Sequence, residues 1–170
     1  MKKAKKAALT GILAALALAL GYLEFLIPVG IPGVPGIKPG FANIMIMAAL
    51  YLLGAGEAAV ISAARILLSW LLFGSFTSLV YSFCGGALSL AVMLALKKSK
   101  AFGFVGVSVG GAVAHNTAQI TAASLMLGSG YAFYYLPVLL TAAAVTGTVN
   151  GLLLKAALPA VERIVKSNAK

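Results

Sequence analysis

The side chains able to do chemistry in this chain are few, and they stand in apolar surroundings. Arg65 lies inside an uncharged run, eight residues beyond Glu57. At helical rise that is about 12 Å deeper and about 80° further round the helix, too far for a relaxed ion pair within one span. Arg65 must therefore meet another carboxylate, Glu24 being one candidate, or backbone carbonyls, or an anionic ligand. Ser62 and Ser69, at i−3 and i+4, add polarity to its face. The segment His115-Asn-Thr-Ala-Gln119 puts His115 and Gln119 on one helical face, with Asn116 about 100° away. Three planar hydrogen-bonding groups in such a place can read the edge of a heterocycle or a carbonyl-rich group. The competing use is hydrogen bonding between helices. Glu24 and Asn43 flank a Pro/Gly-rich stretch and are candidates for a site beneath it, whereas Asn150 reads as a helix-to-helix contact.

These residues need elements that hold them in lipid. Of 170 residues 62% are hydrophobic and 9% charged, and the mean hydropathy is +1.06. A water-soluble domain is about one-quarter charged. The chain is expected to be an all-α integral membrane protein with six transmembrane helices, over about 7–27, 40–54, 57–74, 76–96, 101–127 and 133–158. The runs are too long and too continuous for β-barrel strands. A single membrane domain is expected over residues 1–170. The N-terminus resembles a signal peptide in its lysines, but its uncharged stretch from Ala7 to Leu23 exceeds a signal core.

The net charge of +10 reports topology rather than nucleic-acid binding. Lys2, Lys3, Lys5 and Lys6 precede span one; Lys97, Lys98 and Lys100 separate spans four and five; Lys155, Arg163, Lys166 and Lys170 lie at the end of span six or beyond. Six spans place all three clusters on one side, which the positive-inside rule makes cytoplasmic, together with both termini. Lys38 alone lies opposite. It sits in the Pro28–Gly40 stretch, where four prolines and four glycines preclude helix and the interleaved Val and Ile suit a loop folded back over the helix ends.

Several chemistries are excluded on content. With one cysteine, Cys84, and one histidine, no disulfide framework or multi-thiolate metal site can form. Three glutamates and no aspartate leave no Asp-rich Mg²⁺ site. No Gly-x-x-x-x-Gly-Lys-Ser/Thr segment is present to hold a nucleotide. No cofactor, metal or catalytic residue is expected. Small residues recur at Ala7, Gly11, Ala15 and Ala19, at Gly106, Gly110 and Ala114, and at Gly147 and Gly151, making smooth ridges where helices can approach. Tyr22 and Tyr131, Phe133, Tyr134 and Tyr135 suit an interfacial aromatic belt.

Several segments carry a family resemblance: Gly21-Tyr-Leu-Glu24 through Pro28, Pro35-Gly-Ile-Lys-Pro-Gly-Phe-Ala-Asn43, Arg65 followed by Gly74, Tyr81-Ser-Phe-Cys-Gly-Gly86 with Ser89, and Gly111-Ala-Val-Ala-His-Asn-Thr-Ala-Gln119. In these the chain resembles the membrane family named Gx transporter family or heptaprenyl diphosphate synthase component I, itself similar to the substrate-binding S components of energy-coupling-factor (ECF) transporters. The resemblance implies a six-helix S-component-like bundle in a prokaryotic cell membrane, binding a small vitamin-like ligand toward its outer face. It also implies that the Ala7, Gly11, Ala15 and Ala19 ridge docks a transmembrane coupling (T) subunit that works with two cytosolic ATPases. The alternative is a non-catalytic membrane component of isoprenoid or quinone metabolism, or of a redox assembly, that holds a membrane lipid. The family's enzyme name does not fit a chain without an Asp-rich motif.

Overall fold

The computed structural model describes residues 3–26 and 40–167. The Pro28–Gly40 stretch other than Gly40, and Lys2, Lys38 and Lys170, lie outside the described residues, as does the side chain of Lys166.

Six long helices follow one another: α1 (Lys3–Leu26), α2 (Phe41–Leu52), α3 (Ala55–Phe73), α4 (Phe76–Ser99), α5 (Phe104–Leu127) and α6 (Leu136–Ser167), with a 3₁₀ segment, Gly130–Tyr135, before α6. The fold is all-helical, and its six helices fall where the apolar runs place them. The sixth differs most at its ends. Its start is tightened into the 3₁₀ segment, and it continues nine residues beyond Leu158, through Pro159. The rest of the helix supports the local loss of one backbone donor there.

The joints are made by local chemistry. Gly54, at φ 110°, separates α2 from α3, and the amides of both Leu53 and Gly54 bond to the Ala49 carbonyl, closing α2. Ser75 and Ser78 form a reciprocal cap on α4: each hydroxyl accepts from the other residue's backbone N–H, at 3.1 and 3.0 Å. Lys97 and Lys98 occupy the last turn of α4, where the helix dipole favours cations.

The helices form two three-helix groups. In the first, α1, α2 and α3 pack mutually; in the second, α5 lies between α4 and α6. Contacts between α3 and α4, and between α2 and α6, join the groups. The α5–α6 crossing is set by glycine. A Cβ on Gly151 would lie 2.6 Å from the Val105 Cα, and one on Gly147 would lie 2.8 Å from the Val109 Cα. This ridge is used inside the bundle.

Leu67, Leu71, Leu125 and Val145 point outward, which suits a lipid solvent. Four helical stretches are long and apolar enough to cross a bilayer: Lys3–Leu26, Ala55–Phe73, Phe76–Ser99 and Gly130–Arg163. The two other helices differ for separate reasons. α5 has the length, but Ser108, His115, Asn116, Thr117, Gln119 and Thr121 lower its hydropathy; it is flanked by two neighbours instead of being presented to lipid on all sides. α2 has 12 residues, about 18 Å of helix. Ile46, Met47, Ala48, Ala49 and Leu50 are buried, so α2 is the helix most enclosed by protein. The chain is a multi-pass membrane protein.

Candidate functional site

A cavity of about 540 Å³ lies between the outer halves of the helices. It extends from Gly40, Phe73 and Ser75 at the outer helix ends to Met93 and Ser108. Every helix contributes to its wall: Gly21 and Glu24 from α1, Asn43 from α2, Arg65 and Trp70 from α3, Tyr81 and Ser82 from α4, His115, Asn116 and Gln119 from α5, and Asn150 from α6. Glu24, Asn43, Arg65, His115, Asn116 and Gln119, scattered over 96 positions of sequence, thus share one enclosure.

Glycine lets the two sides of this enclosure approach. A Cβ on Gly85 would lie 2.8 Å from His115 Cε1 and 2.9 Å from Gln119 Cγ. On the adjacent residue, a Cβ on Gly86 would lie 2.9 Å from Ile66 Cδ1. The Gly85–Gly86 step of α4 is therefore the thin partition that brings Arg65's neighbour on α3 and His115 on α5 to the same depth.

Each polar residue has its own commitments. Glu24, 7% exposed, accepts from the Phe41 backbone N–H at the start of α2. A carboxylate there satisfies a free helix amide and meets the positive end of the helix dipole. Asn116 donates from Nδ2 to the Leu139 carbonyl of α6 at 2.9 Å, so its amide nitrogen makes the interhelical bond while the residue also borders the cavity. Gly40, at φ 70°, gives its carbonyl to the Asn43 backbone N–H at 3.0 Å and to Asn150 Nδ2 at 3.1 Å.

Arg65 stands apart. Its side chain is partly buried, its Nε is buried, and it makes no hydrogen bond among the described residues. Glu57 pairs with Lys6 at 2.5 Å, so it is not Arg65's partner. Glu24 acts on Arg65 electrostatically without forming an ion pair with it.

By its place in the sequence Asn150 is expected to serve helix packing. It does bond away from its own helix, but to the backbone where α2 begins, and it borders the cavity. Trp70, Tyr81, Ser82 and Ser89 also line the cavity without having been singled out by residue chemistry. Trp70 is the chain's single tryptophan, five residues after Arg65; that proximity to a membrane-depth cation was the available clue.

Ala7, Gly11, Ala15 and Ala19 are all exposed on the outer face of α1, and a Cβ on Gly11 would meet nothing within 4 Å. This ridge is not consumed by packing among the described residues. Tyr131, Phe133, Tyr134 and Tyr135 are exposed near the outer end of α6.

These features belong to a helical membrane bundle with an internal cavity. The chain is a member of the heptaprenyl diphosphate synthase component I family, whose model matches residues 13–157. Among solved structures it is similar to the S component of a bacterial ECF transporter, with 16% sequence identity, a TM-score of 0.60 and 99% of each chain covered. That likeness shows a shared fold. No curated protein matches the chain.

Proposed function

We propose that the protein is the substrate-capture subunit of an ECF-type importer, binding a small vitamin-like molecule from the outer side of a prokaryotic cell membrane. The observation that carries this reading is the 540 Å³ cavity, within the size range of small-molecule sites, whose wall gathers Arg65, His115, Asn116, Gln119 and Asn43 from three helices. A bundle needing only stability would fill that volume with apolar side chains, because polar groups at bilayer depth are costly unless they have work to do.

The protein acts without catalysis. Capture under the outer helix ends is followed by reorientation of the whole bundle against a transmembrane coupling subunit, which engages the exposed Ala7, Gly11, Ala15 and Ala19 ridge. Two cytosolic ATPases supply the energy. Small side chains let the partner helix approach closely, where van der Waals packing is the main source of association in lipid.

Native mass spectrometry of the gently purified chain is the test. A retained water-soluble small molecule, lost on combined substitution of His115, Asn116 and Gln119 by Ala, is the expected result. Gly11→Leu with Ala15→Leu should abolish co-purification with a coupling subunit while leaving that molecule bound.

The family's name and the apolar part of the cavity wall, Ile66, Trp70, Phe73 and Leu79, favour one other reading: a non-catalytic membrane component of isoprenoid or quinone metabolism, or of a redox assembly. A prenyl lipid retained in place of a water-soluble molecule decides for it. Turnover of isoprenyl donors by the chain alone refutes both.

A further inference from the structure

The described residues hold an arginine at membrane depth with a buried donor that no described group satisfies. A guanidinium offers five N–H donors in a fixed fork matched to carboxylate and phosphate. Arg65 Nε is buried without a hydrogen-bond partner, and no ion pair reaches the side chain among the described residues.

None of the chain's own carboxylates forms an ion pair with Arg65 among the described residues. It has three acidic residues and no aspartate. Glu57 is bound to Lys6 at 2.5 Å, one end of α3 away from the cavity. Glu24 borders the cavity and acts on Arg65 electrostatically without an ion pair; its carboxylate takes the Phe41 N–H at the head of α2, where the helix dipole balances part of its charge. Glu162 lies in the last turns of α6, at the cytoplasmic end. On the α1 side the guanidinium rests against a residue with no side chain: a Cβ on Gly21 would lie 4.0 Å from Arg65 Nη1. Its remaining surroundings include the cavity that it lines.

We propose that the occupant of this cavity is an organic anion whose carboxylate or phosphate is held by Arg65. This deepens the capture-subunit reading and rests on it. The anionic head sits at the α1–α3 side, against Arg65 and Gly21. The uncharged body extends past Trp70 and Tyr81 toward His115 and Gln119 on α5, across the Gly85–Gly86 partition. Aromatic rings and planar hydrogen-bonding groups there suit a conjugated or amide-bearing body. The same head chemistry could come from a water-borne molecule or from an anionic lipid, and the experiment separates them.

The full chain is placed in phosphatidylcholine nanodiscs in chloride buffer and melted at constant ionic strength, with inorganic phosphate, with benzoate, or with phosphatidylglycerol in the bilayer. At ten times its Kd a bound probe raises the folded-to-unfolded ratio about elevenfold, which appears as a rise in Tm. The parent should respond to at least one of the three. A response to phosphate or benzoate identifies a water-borne anion, and a response to phosphatidylglycerol alone identifies a lipid headgroup. Arg65→Gln should lose the response. Arg65→Lys, which keeps the charge but not the fork, should bind the effective probe about tenfold more weakly, and it serves if Arg65→Gln does not fold. A parent indifferent to all three probes, or a variant that responds as the parent does, overturns the proposal. An uncharged small molecule retained equally by the parent and Arg65→Gln in native mass spectrometry would end this inference and leave the capture-subunit reading standing.

Discussion

The inner and outer halves of the bundle are built from the same helices to opposite ends. Toward the lysine-rich end the helices close on a continuous apolar core of Leu13, Ala17, Ile46, Met47, Leu50, Ile61, Val107 and Leu154. Two lysines at that end have direct partners: Lys6 pairs with Glu57, and Lys97 donates from Nζ to the Leu50 carbonyl at 2.6 Å while lying over the Tyr51 ring. Toward the outer side the same helices part around the cavity, and the polar side chains turn inward. α2 presents Leu50 to the core and Asn43 to the cavity; α5 presents Val107 to the core and Gln119 to the cavity. In lipid the hydrophobic effect does not press helices together, so tight van der Waals contact must hold one half solid if the other is to stay open.

The largest effect expected from breaking this division is at the α5–α6 contact that both halves share. Gly151→Ala would put a Cβ 2.6 Å from the Val105 Cα and 3.1 Å from the Phe104 carbonyl oxygen. Backbone cannot swing aside as a side chain can, so the substitution should destabilise by about 1–3 kcal/mol, the range for overpacking. Thermal unfolding in one detergent checks this, with Gly11→Ala as the comparison. Gly11 faces open space and its substitution should leave Tm unchanged. Equal Tm values for the two would mean that α5 and α6 do not cross closely.

Gly85→Ala sharpens the contrast, because its clash is with side chains bordering the cavity. The added methyl meets His115 Cε1 and Gln119 Cγ, which can yield into the cavity. We expect a stability loss below that of Gly151→Ala, and about tenfold weaker retention of the bound small molecule, equivalent to about 1.4 kcal/mol. Titration of the purified variant measures it. Unaltered affinity would remove His115 and Gln119 from the binding wall.

The sequence made the spans legible because each run of apolar residues obeys the same length rule, and it made the polar candidates legible because membrane depth renders each one costly. Their commitments were not legible. Whether Asn116 faces a ligand or Leu139 depends on how α5 turns against α6, and both faces of α5 carry small or polar residues. Asn150 meets Gly40 across 110 positions of sequence, a contact fixed by the α2–α6 packing and by no local pattern. Glu24's bond to Phe41 depends on where α2 restarts after the Pro/Gly-rich stretch. The α1 ridge could be located from spacing alone, but its outward aim required the position of α1 against α2 and α3.

The Asn150 contact should have a smaller and more local effect. Hydrogen bonds between membrane helices average about 0.6 kcal/mol, and Gly40 would keep its bond from the Asn43 amide after Asn150→Leu. Amide exchange at Phe41 and Asn43 should quicken while the α5–α6 amides keep their protection. Faster exchange throughout the bundle would show that Asn150 supports the whole α2–α6 contact and not only the start of α2.

The smallest effect belongs to the pair that looks strongest by distance. Lys6 and Glu57 are 2.5 Å apart, but their side chains are 41% and 25% exposed, at the end of the bundle where the lysine cluster meets water. Solvent screens such a pair, and holding two flexible side chains in one geometry offsets much of the attraction, so a double-mutant cycle with Lys6→Gln and Glu57→Gln should give only a weak coupling that falls with added salt. Orientation should not change, because the other cytoplasmic lysines and arginine remain to enforce it. A strong coupling, insensitive to salt, would place this ion pair in a desolvated setting. The solid inner half would then be held by buried charge as well as by close packing.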